Sequence, residues 1–198
     1  MHIYSYLALG DLYTIGEAVP LNKSFPYQVV QLLRQKEYNF SAPEILAGPG
    51  WTTDELQAAI NKYALLPKYD FVTLLVGMNN QEAETDVIGY KEKLEEILKK
   101  AIEIVNGKKD HVVMLSIPHH SSGRQTDAYE ALKDVDVFNG INKALSIQYK
   151  TQYIDLTTGS KKSKNDASLN TDMIVSSLEK EYLNWAKRIV EIITSQLK

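Results

Sequence analysis

Chemistry in this chain must come from hydroxyls, carboxylates, amides and imidazoles, because the sequence contains no cysteine. Thiolate catalysis, thiol metal sites and disulfides are therefore excluded. Of its four histidines, His119 and His120 stand together in "IPHHSSGRQ", ahead of Ser121, Ser122 and Arg124. Imidazole beside hydroxyl is what a base-activated nucleophile needs, with one histidine as base and Ser121, Ser122 or Thr14 as nucleophile. The same stretch reads equally as a polar, solvent-exposed loop. Adjacent side chains in an extended segment point opposite ways, so the two imidazoles do not converge on one metal. No i, i+4 histidine pair or third ligand completes such a site, and no cofactor is expected. His2 and His111 fall at strand starts, away from this loop.

Three other stretches place polar or special groups beside apolar runs. "LALGDLYTIG" is strand-like and breaks at Gly10-Asp11, with Leu12 and Tyr13 following. "GPGWTTDEL" carries Gly50 and Trp51 just before a helix start. "LLVGMNN" ends in Asn79 and Asn80; the Asn79 amide could face a ligand oxygen, or both residues could satisfy backbone groups in a turn. Tyr13 and Trp51 could line an apolar pocket or pack in the core.

These stretches must be held by a scaffold, and alternating runs describe it. Five β-rich runs are expected at Ile3 to Leu9, Tyr38 to Leu46, Phe71 to Val76, Val112 to Ile117 and Gln152 to Leu156, each followed by a helical pattern. "FVTLLV" and "VVMLSI" are nearly continuously apolar, as for strands covered on both faces in a parallel sheet. Ser24 with Pro26 opens one helix, and Thr52 to Glu55 forms a capping box for the next. From Asp86 to Asn106, Val87, Tyr90, Leu94, Ile97, Leu98, Ala101 and Val105 form an apolar stripe, stopped by Gly107. Leu178, Tyr182, Trp185, Ile189, Ile193 and Leu197 form another, so the C-terminal helix packs on the sheet. The pattern is α/β: a three-layer αβα sandwich around a five-stranded parallel sheet. Ligands in such folds bind beyond the carboxyl ends of the strands. The loops at Gly10 to Gly16, Gly48 to Thr53, Gly77 to Gln81 and Pro118 to Arg124 converge there, with the segment before the last helix.

Composition narrows the rest. With 198 residues, 44% hydrophobic and 24% charged, the chain suits one domain spanning residues 1–198, without repeat or linker. A net charge of −3 with scattered lysines excludes a nucleic-acid footprint, and the cluster Lys161, Lys162 and Lys164 reads as a solvated loop. No apolar run reaches the roughly 20 residues of a membrane span. No export signal precedes the first strand, so a cytoplasmic location is expected.

Read in order, the loop sequences resemble the blocks of the SGNH hydrolases, also called GDSL esterases and lipases, over essentially the whole chain. "LALGDLYTIGEAVP" is similar to the first block, "GPGWTTDEL" to the second, "LLVGMNN" to the third and "NTDMIVSS" to the last. The resemblance implies a flavodoxin-like SGNH fold, with Gly50 and Asn79 at oxyanion-hole positions and Asp172 at the triad aspartate. It implies a nucleophilic serine where this chain has Leu12, and a histidine base where it has Val175. Leucine offers no oxygen to attack with, and valine cannot accept a proton. The expectation is a degenerate family member, a pseudoenzyme that keeps Asp11, Gly50, Asn79 and Asp172. Its partner would be an acyl, ester or carbohydrate-like small molecule, or a protein, with no nucleic acid. Two alternatives stay open: an ester hydrolase with its nucleophile or base relocated to the 118–124 loop, and a structural or partner-binding module whose site has closed around Leu12. Asp172 has a plainer role too, as a loop carboxylate or a cap of the last helix.

Overall fold

The structure is a computed structural model that describes the backbone of residues 2–83, 85–118, 128–157 and 171–197, and the side chains of these except 128–134 and 171–174. Five strands form one all-parallel sheet: β1 (Tyr6–Gly10), β2 (Glu44–Ala47), β3 (Phe71–Leu75), β4 (Val112–Leu115) and β5 (Gln152–Ile154). Their spatial order is β2-β1-β3-β4-β5, the flavodoxin-like arrangement expected. Every residue of β1, β3 and β4 is buried, which is why these strands read as unbroken apolar runs.

The helices α1 (Leu12–Ile15), α2 (Phe25–Gln35), α3 (Thr53–Lys62), α4 (Met78–Glu82), α5 (Val87–Ile104), α6 (Ala128–Tyr149) and α7 (Thr171–Gln196) fill the connections and the C-terminus. α7 packs along α2, while α3 packs on α5 and α5 on α6, giving a helical layer to each face. The core between them includes Phe25, Val29, Leu33, Tyr182, Trp185 and Ile189 on the α2/α7 side, and Leu56, Tyr90, Leu94 and Leu98 on the other. Each such fully buried apolar side chain contributes about 1.5–3 kcal/mol of transfer free energy. Among the described residues no helix is long and apolar enough to cross a membrane.

Several boundaries differ from expectation, for identifiable reasons. β1 starts at Tyr6 rather than Ile3, and Tyr4 makes only an isolated bridge to Phe40. β2 begins only at Glu44, because Pro43 has no N–H to give the ladder, and runs one residue past the expected end, to Ala47. β4 and β5 likewise end at Leu115 and Ile154, short of Ile117 and Leu156. Ser24 stands at the start of α2 without capping it; its hydroxyl donates back to the Leu21 carbonyl at 2.8 Å. The capping box at Thr52 and Glu55 is present in full. Val87, expected on the buried stripe of α5, is exposed in the helix's first turn. Gly10 to Gly16 and Gly77 to Gln81 are not open loops, since each holds a short helix, α1 and α4.

Candidate functional site

β1 and β3 are neighbours at the centre of the sheet, and the chain leaves them in opposite directions, making the switch point where open parallel sheets bind ligands. Their carboxyl ends lead directly into α1 and α4. Asp11 caps α1: its Oδ1 accepts the Tyr13 N–H at 3.1 Å, while its own N–H donates to the Leu75 carbonyl at 3.2 Å. The side chain is wholly buried, and Oδ2 has no hydrogen-bond partner. Burial pushes the Asp11 carboxyl up to about 7, against the favourable pull of the Tyr13, Met78, Gly77 and its own N–H groups.

Leu12 is the first residue of α1, half-buried and packed against the core. Tyr13 is core rather than pocket lining: it is buried, with its ring edge-on to Trp185 at 6.2 Å. Burial, then the Asp11 charge, pushes its phenol well above the ordinary tyrosine range. Thr14 is wholly buried with an unpartnered Oγ1, so it lacks the access that the relocated-nucleophile reading requires of it.

The second and third loops are stapled together by two consecutive asparagines. Asn79 is half-buried, and its Nδ2 donates to the Trp51 carbonyl at 3.0 Å. Asn80 is wholly buried: its Oδ1 accepts the Thr53 N–H at 2.9 Å and its Nδ2 donates to Thr53 Oγ1 at 3.0 Å. An amide suits this place because it both accepts and donates. Sequence reasoning singled out Asn79 and gave Asn80 no more than a turn role; the signal for Asn80 was the Asn-Asn pair itself, one amide for each side of the α3 start. Gly77, which precedes them, has φ of 134°, and a Cβ there would lie 2.6 Å from the Tyr90 hydroxyl. Tyr90 in turn bonds the Val76 carbonyl at 3.2 Å and Asn142 Oδ1 of α6 at 2.8 Å.

Gly50 is exposed in a turn with φ of 74°, and a Cβ would meet nothing within 4 Å, so backbone conformation rather than space calls for glycine. Trp51 is half-buried, its indole folded onto Gly48. Gly50, Trp51 and Asn79 are thus brought together, with Asp11 and Leu12 on the adjoining strand end. Asp172 and Val175 correct an expectation: both belong to the opening turns of α7 and not to a segment before it. Val175 is half-buried, and the Asp172 side chain lies outside the described residues. His119, His120, Ser121, Ser122 and Arg124 also lie outside them. His2 and His111 are at the opposite sheet edge, where both contact Asp70: His2 Nε2 is 3.2 Å from Oδ1 and His111 Nδ1 is 2.6 Å from the carbonyl. Among the described residues no group of three or more His, Asp or Glu is placed to hold a metal ion.

The GDSL-like lipase/acylhydrolase family, the SGNH hydrolases, matches residues 8–174, and the protein belongs to that family. Solved structures agree in fold. TesA is 17% identical with a TM-score of 0.70, covering 98% of each chain. The acetylxylan esterase Axe2 of Geobacillus stearothermophilus is 17% identical with a TM-score of 0.68, covering 94% of this chain and 96% of its own. A lipase/acylhydrolase from Enterococcus faecalis is 18% identical with a TM-score of 0.64, covering 89% and 96%. No curated protein matches the sequence significantly.

Proposed function

We propose that this family member has lost the family's serine-based ester hydrolysis and keeps the site as a binding site for an acyl, ester or carbohydrate-like ligand. The observation that carries the reading is Leu12, the residue directly after Asp11 in the first turn of α1, where the family's first block has its nucleophile. Hydrocarbon at that place supplies neither nucleophile nor transferable proton. Val175, where the last block has its histidine, supports it, since triad members act as a unit and losing one removes most of the rate. Two donors support the binding half of the reading. Asn79 Nδ2 spends one N–H on the Trp51 carbonyl and carries a second, and the Gly50 N–H lies in the exposed turn beside it. Together they suit a carbonyl or carboxylate oxygen, with Leu12 and Trp51 giving the ligand apolar contact. Acetylated xylooligosaccharides, after Axe2, are the first ligands to try.

The test is incubation with a chromogenic short-chain ester and with a serine-directed phosphonate, alongside NMR titration with an acetylated xylooligosaccharide. We expect no turnover, no adduct, and saturable shifts at Gly50 and the Asn79 side-chain amide. Turnover that disappears in His119→Ala or His120→Ala would overturn the reading and favour an esterase with relocated machinery, which family membership alone supports. Leu12→Ser combined with Val175→His should give detectable esterase activity that neither single change gives.

A further inference from the structure

Asp11 is used by the site reading only as a scaffold, yet its surroundings are unusual. The carboxylate has no exposure to solvent, and one of its oxygens has no hydrogen bond. Oδ1 is held from its own side by the Tyr13 N–H. From the other side, the N–H groups of Gly77 and Met78 favour the carboxylate's charge without closing a bond to Oδ2. Asn79 is the next residue of that turn. Thr14, on the same short helix as Tyr13, leaves a second buried oxygen without a partner. Asp11 therefore stands where the two central turns of the site meet, with hydrogen-bonding capacity unused on both.

The titratable side chains that feel its charge come from three helices. Tyr13 of α1, Tyr90 of α5 and Tyr182 of α7 all feel the Asp11 charge. Glu82 of α4 and Glu181 of α7 act in turn on Tyr13, and Glu17 with Glu181 on Tyr182. These neighbours are phenols held neutral by burial, or acids. Each opposes a negative charge on Asp11 or leaves it unaided, so the backbone N–H groups carry the task of stabilising it.

We propose that Asp11 is a proton switch between the two turns: the neutral acid leaves the β3–α4 turn spaced as it is here, while the carboxylate draws in the Gly77 and Met78 N–H groups and Asn79 with them. The proton goes to and comes from solvent; no other group changes its bonding. Consequently the position of the Asn79 amide relative to Gly50 depends on whether Asp11 is ionised. Burial sets the changeover close to neutrality, at about 7. The inference concerns the ligand-free protein and holds whether or not the site binds an acyl compound.

The experiment is an NMR titration of the full chain, labelled with ¹³C and ¹⁵N, from pH 5 to 9 without ligand. The Asp11 Cγ should titrate near neutral pH. The Gly77 and Met78 amide protons should move downfield on the same midpoint, as for hydrogen bonds that shorten, and the Asn79 side-chain amide should follow. In Asp11→Asn all of these pH-dependent shifts should vanish. An Asp11 Cγ midpoint in the ordinary carboxylate range would overturn the proposal. So would a neutral midpoint at Cγ with Gly77, Met78 and Asn79 unmoved. Because the wild-type titration decides between these outcomes, a misfolded variant would not rescue the idea.

Discussion

Asp11 also makes a claim on stability, and its sign can be worked out. In the unfolded chain the carboxyl ionises near its ordinary value of 3.8, and in the folded protein only near about 7. Between those limits the native state holds a proton that the unfolded state has released, so stability falls as pH rises through the window. The full effect is roughly 4 kcal/mol at 1.36 kcal/mol per pH unit, an upper figure if the Gly77 and Met78 N–H groups close on the anion. Asp11→Asn keeps an acceptor for Tyr13 N–H and removes the charge. In urea melts its stability relative to wild type should increase from pH 5 to pH 8.5; equal differences at both pH values would contradict the argument. Position 12 was legible from the sequence because a missing functional group is visible in the residue type. The burial of Asp11, and the loss of access at Thr14, were not, since both depend on tertiary packing around α1.

At the level of elements, the site depends on the start of α3 being held by α4. Asn80→Ala leaves the Thr53 N–H unpaired in a buried place, which costs about 1–3 kcal/mol. The midpoint of urea unfolding should fall accordingly, whereas Asn80→Asp, which keeps an acceptor for that N–H, should fall less. Thr52→Ala removes the cap on the same turn at a cost of about 1 kcal/mol. If the turn is a single clamp, the two losses should be less than additive in a double variant. Capping boxes are readable because they are local, as the Thr52 and Glu55 pair shows. The second strand was misread because Pro43 interrupts an otherwise β-rich run. The bounds of α6 were not readable at all: Val137 and Ile147 are exposed on it, so apolar residues on both faces blur the helical period.

For the molecule as a whole, the layer made by α2 and α7 closes over an aromatic group. Trp185 is edge-on to Tyr182 at 5.0 Å and meets Phe25 and Tyr13 at 6.2 Å each. Trp185→Ala should cost about 3–5 kcal/mol and lower Tm by about 10 °C in calorimetry. Ile88→Ala, at an exposed position of α5, should stay within about 0.5 kcal/mol of wild type. The layered parallel sheet followed from alternation and right-handed crossovers, while its flavodoxin-like strand order followed from the family resemblance. The opening turns of α7 did not follow, since a helix that begins before its apolar stripe gives no periodic signal there. The same helix has a consequence for synthesis on the ribosome. It is made after every other described element, while its partner α2 is among the first of them, so Phe25, Val29 and Leu33 stay uncovered until the ribosome has passed Tyr182. A nascent chain of this sequence therefore needs protection for one greasy flank throughout elongation, and a stop codon ahead of Tyr182 would release a protein unable to hide it.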